Sequence, residues 1–353
     1  MNHTAVPPTM KDVAKEANVS IGTVSKVING IPVGESYRRR VEDAIEKLGY
    51  HVNHYARSLK TNKTNCVALV MPSLRHPFFA HLTDELTACL MRRGYRSLLM
   101  ITDFDPEAEQ KCFVMVRENK ADGVIALTYS PELEVNDDLP VVTIDRHLGY
   151  GVPCVSSDNY GGGEMAAEKL IGLGCKRLLF LRIGPEVQGE ADRRGAGFEH
   201  KCRALGADYE MILLSDRETE APFFRFLGRH IENGRLAFDG IFCNTDDLAE
   251  RVISFLRERG VDIPGQVQVI GYDGIADYAT GRYPCSTIEQ PLTQMAEAAV
   301  EILLDPDRSA AESVKLPVRY IPGGTTREPA HTDVSATARA LRAMTSSKEN
   351  THT

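Results

Sequence analysis

The chain has 353 residues, 42% hydrophobic and 25% charged, with eight cysteines and a formal net charge of −8. That is too long for one small core and ordinary for a globular protein, so two or more folded units are expected. No run approaches the roughly 18 apolar residues of a membrane span, and the opening "MNHTAVPPTMKDV" lacks the apolar stretch of a signal peptide, so the expectation is a cytoplasmic protein with no membrane partner.

The cysteines form no CxxC pair and none lies at metal spacing from a histidine, which points to buried free thiols, with no metal and no cofactor. Charge is uneven. Residues 1–62 carry nine Lys/Arg and six Asp/Glu, a balance of +3, and the remainder carries −11. A basic head on an acidic body is what a small nucleic-acid module joined to another unit would show.

In chain order, Met10, Val13, Ala14 and Ala17 fall on one face of a helix, with Thr9 as cap and Asp12 at the third position of a capping box. Asn18-Val19 breaks it. Ser20 caps a second helix bearing Val24, Val27 and Ile28, which Asn29-Gly30 ends. Val41, Ala44, Ile45 and Leu48 mark a third helix, started at Gly34 and closed by Gly49. Two helices joined by so short a turn, with a third behind them, form the helix-turn-helix pattern, whose second helix enters the DNA major groove by its N-terminus. Ser20, Ile21, Gly22, Thr23, Ser25 and Lys26 are then the candidates for DNA contact. Hydroxyls and free N–H groups suit phosphates, and Ile21 suits a thymine methyl. By pattern alone, a three-helix bundle that binds protein or nothing stays open. Residues 53–60, "NHYARSLK", read as two turns of weak helix with Leu59 on one side, and spacing alone favours ordinary packing for that leucine.

The segments "MKDVAKEANVSIGTVSKVING" and "VEDAIEKLGYHVNHYARSLKTNKTN" resemble the headpiece and hinge of the lac-repressor family of bacterial regulators. The resemblance implies that Ile21 and Gly22 stand at base-reading positions. It implies a hinge over 51–63 whose Asn53, Tyr55, Ala56, Arg57, Leu59 and Lys60 face DNA. Ala56 and Leu59 would be the minor-groove wedge that bends the duplex. Two departures are visible: Gly34 stands where a polar cap is usual, and Gly22 where many members carry a longer side chain.

From Asn65 onward apolar runs alternate with amphipathic stretches. Strands are expected at 66–71, 97–102, 123–127, 141–144, 177–181, 239–243 and 267–272. Helices are expected at 78–93, 106–119, 161–173, 195–205, 222–233, 246–260 and 291–304. The alternation implies parallel α/β sheets, and its length suits two lobes of about 130 residues each. Ligands bind such sheets beyond the C-terminal strand ends. Here those ends carry Asp145 in "VVTIDR", Asn244-Thr245-Asp246 in "FCNTDD" and Asp273 in "VIGYD", while Arg193 and Arg194 open a helix in "ADRRGAGF". Convergent carboxylates and a guanidinium suit a hydroxyl-rich ligand. Capping and lobe–lobe salt bridges remain the plainer alternative for any one of them.

The stretch 64–327 is similar to the effector domain of the same family, through "HPFF", "ADGVIAL", "VVTIDR", "RRGAGF", "DGIFCNTDDLA", "VQVIGYD" and "STIEQP". That similarity implies a fold of an all-α helix-turn-helix headpiece on a two-lobed, periplasmic-binding-protein-like α/β domain with two parallel doubly wound sheets. It implies that Asp145, Arg194, Thr245, Asp246 and Asp273 line the pocket, that the loop Ser73 to Phe79 closes one side with Phe79 as wall, and that the helix after "HPFF" lies near a dimer contact. In "LLSDRETEAP", Arg217 stands about where many members stack an aromatic on the ligand, which would favour an anionic sugar acid or sugar phosphate. Residues 332–353, Thr/Ser/Ala-rich, read as a disordered tail, giving divisions at 1–50, 51–63, 64–331 and 332–353.

Three classes compete. An exported sugar-binding protein would carry no helix-turn-helix. An enzyme would want GxxxxGK[ST], G-x-S-x-G or a metal cluster, none of which occurs, and "NYGGGEM" reads as a tight crossing that opens a helix. The reading is therefore no enzyme but a DNA-binding regulator of carbohydrate-related genes. It would bind double-stranded operator DNA as a homodimer and answer to a small sugar-like effector. A purine or a phosphorylated protein corepressor is the alternative.

Overall fold

The computed structural model describes residues 8–28, 30–50, 64–130, 133, 135, 139–149, 151–184, 189–215, 221–307 and 312–327. The chain divides at Thr64 into two compact units.

The first unit holds α1 (Met10–Glu16), α2 (Ile21–Ile28) and α3 (Glu35–Leu48). Thr9 and Asp12 form the full capping box of α1, and the Ser20 hydroxyl oxygen accepts the Thr23 N–H at 3.1 Å in the first turn of α2. Gly34 starts α3 without a side-chain cap, and Gly49 ends it in the left-handed conformation. Val13, Ala14, Ala17, Val24, Val41, Ala44 and Tyr50 form the core. The side chains are small, so the helices pack closely around few residues.

The second unit has two lobes. Its elements in chain order are β1 (Cys66–Met71), α4 (Pro77–Arg92), β2 (Arg96–Ile101), α5 (Pro106–Glu118), β3 (Gly123–Ala126), β4 (Val141–Ile144), β5 (Cys154–Ser157), α6 (Asn159–Gly172), β6 (Arg177–Gly184), α7 (Arg193–Leu205), β7 (Asp208–Ser215), α8 (Ala221–Arg229), β8 (Ile231–Glu232), β9 (Arg235–Leu236), β10 (Gly240–Cys243), α9 (Asp246–Arg257), β11 (Gln268–Asp273), β12 (Ser286–Glu289), α10 (Leu292–Leu304), β13 (Val314–Leu316) and β14 (Arg319–Ile321). The first lobe's sheet runs β13-β5-β4-β3-β1-β2, with every pairing parallel. The second runs β14-β12-β11-β10-β6-β7 and departs from the all-parallel expectation at one edge, where β14 is antiparallel to β12.

The central strands of each sheet are buried on both faces, which is why β1, β3, β4, β10 and β11 read as continuous apolar runs. In the first lobe, α4 and α10 cover one face and α5 the other. In the second, alternate residues of β6 serve opposite cores: Leu178 and Phe180 meet α6 and α7, while Leu179 and Leu181 meet α8 and α9. The helix expected at 222–233 stops at Arg229, because Asn233 and Gly234 both take positive φ and turn β8 into β9.

The chain passes between the lobes three times, after β5, after β12 and after β13. The crossings are tied together. The Ser157 hydroxyl donates to Gln290 Oε1 at 2.7 Å, and Asp158 N–H donates to the Leu316 carbonyl at 2.7 Å. Strand ends from both lobes thus meet beside a common hinge.

Candidate functional site

On the headpiece, Ser20, Ile21, Gly22 and Lys26 are exposed and Thr23 and Ser25 half-buried, while Val24 faces the core. A helix's first N–H groups lack intrahelical acceptors, so this end presents donors to an anion. A β-carbon on Gly22 would lie 3.6 Å from its nearest neighbour, the Ser20 Oγ, which is ordinary contact. The fold does not demand glycine there, so the bareness faces outward. Asn53, Tyr55, Ala56, Arg57, Leu59 and Lys60 lie outside the described residues.

Between the lobes is a cleft of about 540 Å³. Its floor is polar and buried. Arg194 donates through Nε to Asn159 Oδ1 at 2.7 Å and through a terminal nitrogen to the Asn244 carbonyl at 2.6 Å. Its guanidinium lies 3.6 Å from Asp273 Oδ1 and the same distance from the centre of the Tyr272 ring. Asn159 Nδ2 donates to Asp145 Oδ1 at 3.3 Å, and Gln290 Nε2 to Asp273 Oδ1 at 2.8 Å. Glycines set this geometry. A β-carbon on Gly163 would fall 1.9 Å from the Arg194 carbonyl oxygen, and one on Gly197 would fall 2.0 Å from that of Tyr160. The glycines of "NYGGGEM" and "RRGAGF" therefore let α6 and α7 cross at backbone contact, which holds Arg194 under the cleft.

Asp145 (φ 53°) and Asp273 (φ 115°) close β4 and β11 in conformations that cost energy for residues with a side chain. They are also short of counter-charge. Burial pushes the Asp145 carboxyl up to about 6, with Arg194 opposing it. Burial likewise raises Asp273 against the pull of Arg194, and raises Asp246, with the Asp273 charge adding to it.

The first lobe's wall is aromatic. Phe79 lies 6.2 Å from Phe104, and Phe104 lies 5.0 Å from Tyr129, between ring centroids. Arg146 stacks over Tyr129 at 4.5 Å. The second lobe supplies the ion pairs Arg182–Asp192 and Arg251–Asp247, the latter at 2.9 Å. A strap joins the lobes at one end, where Glu190 N–H donates to the Asp145 carbonyl at 3.2 Å and His147 Nε2 lies 3.2 Å from Glu190 Oε1.

Of the residues expected in the pocket, Ser73, Phe79, Asp145, Arg194, Thr245 and Asp273 line this cleft. Thr245 also caps α9, its hydroxyl oxygen accepting the Leu248 N–H at 3.2 Å. Asp246 is a correction: its carboxylate turns away and accepts the N–H groups of Gly274 at 2.8 Å and Ile275 at 3.4 Å, and Asp247, the next residue on the helix, lines the cleft instead. Arg217 lies outside the described residues. The sequence reading missed Phe104 and Tyr129, which sit on loops past the strand ends it searched, and passed over Arg146 beside Asp145 in "VVTIDR". Among the described residues no three His, Cys, Asp or Glu side chains are grouped to hold a metal ion, and no helix is long and apolar enough to cross a membrane.

Comparison with known proteins places both units. A model of bacterial regulatory proteins of the lacI family matches residues 9–53, and one of a periplasmic binding protein-like domain matches residues 167–326. The chain is 33% identical to the ribose operon repressor of Bacillus subtilis, over 91% of this chain and 99% of that protein. It is 30% identical to the sucrose operon repressor of Pediococcus pentosaceus, over 90% and 99%. Among solved structures it is similar to a periplasmic binding protein/LacI transcriptional regulator of Alkaliphilus metalliredigens complexed with D-xylulofuranose, with 29% identity, a TM-score of 0.66, and coverage of 75% of this chain and all of that one.

Proposed function

The chain belongs to the lacI family of bacterial regulatory proteins and is a DNA-binding transcription regulator, and from that premise we propose that it is a repressor of carbohydrate-related genes, switched by a neutral sugar or polyol in the cleft. It acts on the nucleoid as a homodimer, two headpieces facing the halves of a pseudo-palindromic operator. Residues 1–50 form the headpiece, with Ser20, Ile21, Gly22, Thr23, Ser25 and Lys26 toward DNA. Residues 51–63 form the hinge and 64–331 the effector domain. The outermost strands β2 and β7 support the dimer: both edges expose large apolar side chains, Leu98, Leu99 and Ile101 on one and Leu213 on the other.

The observation that carries the effector reading is the convergence of Asp145, Arg194 and Asp273, all buried, at the foot of one cleft. Such a set exchanges hydrogen bonds with adjacent hydroxyls, and bidentate groups read their spacing. Neutrality follows from the partners the other guanidiniums of the lining already have: Arg182 and Arg251 face carboxylates, Arg75 lies 3.8 Å from Asp103, and Arg146 is stacked on Tyr129, which leaves less positive field for an anion. Effector binding shifts the balance between lobe arrangements, with a coupling to the hinge of typically about 1–3 kcal/mol.

The test is a thermal-shift series on the full chain against neutral sugars, polyols, sugar acids, sugar phosphates and purines. A neutral compound should raise the melting temperature, change operator affinity, and lose both effects in Asp145→Asn. A response confined to acids, phosphates or purines would overturn the neutral reading.

A further inference from the structure

We propose that the cleft holds a second ring of the effector, against Phe104 and Tyr129, beside the hydroxyl-reading floor. The proposal rests on the sugar-like effector reading and deepens it.

A single sugar ring needs only the floor. The cleft of about 540 Å³ falls in the range that encloses drug-sized ligands, roughly 300–1,000 Å³. The extra room is aromatic on one side. Phe104 stays 40% exposed, although nothing in the core requires it there. It reaches its place through two successive non-glycine residues with positive φ, Asp103 at 51° and Phe104 at 62°. Non-glycine residues in that region cost energy and persist where the surroundings hold them.

Tyr129 is held by a different device. The fully buried Glu109 carboxylate accepts the Tyr129 N–H at 2.8 Å, the Ser130 N–H at 3.0 Å and the Thr128 hydroxyl. A buried carboxylate is costly unless its oxygens are filled, and here they are filled by the turn that carries Tyr129. Glu109 is a positioning residue for the wall.

The second lobe adds Ile183, Gly184 and Ala191 to the same lining, beside the Arg182–Asp192 ion pair, and among the described residues it adds no aromatic ring, so the rings of this slot come from one lobe only. Such a slot suits a flat ring with an apolar face, stacked on Phe104 and attached to the hydroxyl-rich ring below. A sugar's C–H face and a nucleoside base share that chemistry.

The experiment measures binding of matched methyl and phenyl β-D-glycosides of ribose, xylose, glucose and galactose to the full chain by calorimetry. For whichever sugar binds, the phenyl glycoside should bind at least tenfold more tightly than the methyl one. Phe104→Leu, which keeps an apolar side chain but removes the flat face, should cut that advantage below threefold and leave methyl-glycoside affinity within twofold. Glu109→Gln should cut it in the same way. Equal affinity for the two glycosides in the unaltered protein would overturn the proposal. So would a Phe104→Leu loss shared equally by both. Failure of every glycoside to bind would instead bring down the sugar-like effector reading, and the second ring with it. Further arms with cellobiose and with adenosine decide whether a sugar or a base supplies the ring.

Discussion

In the headpiece the residues proposed to meet DNA follow one another within the seven positions from Ser20 to Lys26, whereas the cleft floor draws on residues 145, 159, 194, 244 and 273. The headpiece needs one cap, one turn and a small core to present its face. The floor needs two sheets, three lobe crossings and a glycine-to-backbone helix contact before its charges meet. The headpiece face is solvated and carries a single charge, Lys26, while the floor buries two carboxylates, Asp145 and Asp273, around one arginine. Damage to the headpiece should therefore be local and mild, and damage to the floor large and electrostatic.

The sharpest way to break that contrast is Arg194→Ala. The side chain is 4% exposed and holds Asn159, the Asn244 carbonyl and Asp273. Removing one partner of a buried charge cluster costs roughly 3–5 kcal/mol. The effector domain should melt well below the parent at pH 7, with the headpiece transition unmoved and effector binding lost. The deficit should shrink toward pH 5, where the freed carboxylates take protons. A small, pH-independent loss would mean the floor is already neutral in the parent.

How legible each region is follows from the same contrast. Thr9, Asp12 and Ser20 are readable because a cap and its partner lie within three residues. Asp145 and Asp273 are readable because parallel strands place their C-terminal residues on one side, and Arg194 because it opens the helix that follows β6. Asp246 and Asp247 are not separable that way: both open α9, and successive helix positions point about 100° apart, so one serves the backbone and the other the cleft. The short strands "CVSS" and "STIE" escaped because four mixed residues carry little periodicity, and β7 because it is a half-exposed edge. Phe104 depends on two positive φ values that its sequence does not signal. Glu109 reads as one more exposed acid of an amphipathic helix until its turn is in place.

A milder probe of the floor is pH. In the unliganded fold, burial holds the Asp145 carboxyl up near 6, above its ordinary range. The folded state then binds more protons than the unfolded one between about pH 4 and 6, so this group's contribution to stability is lost as pH rises through that window. A ligand hydroxyl donating to Asp145 favours the ionised form. Effector affinity should accordingly rise with pH up to about 6 and level off above it, by roughly tenfold between pH 5 and 7, one unit of pKa being about 1.4 kcal/mol. Calorimetry in two buffers of different ionisation enthalpy should detect the released proton near pH 5.5. No proton release would place the ligand away from Asp145.

The smallest expected effect tests the headpiece side. Gly22 lies inside the first turns of α2, and a methyl group there meets nothing closer than 3.6 Å. Glycine in a helix interior costs roughly 0.5–1 kcal/mol relative to alanine, so Gly22→Ala should stabilise the headpiece by about that much. If the bare position is fitted to DNA, the same methyl group stands in the interface, and operator affinity should fall although the fold is firmer. Melting of the headpiece and operator binding by fluorescence anisotropy would therefore move in opposite directions. Parallel gains in both would show that the glycine is not at the contact, and would shift the reading face toward Ser25 and Lys26, one turn further along the helix.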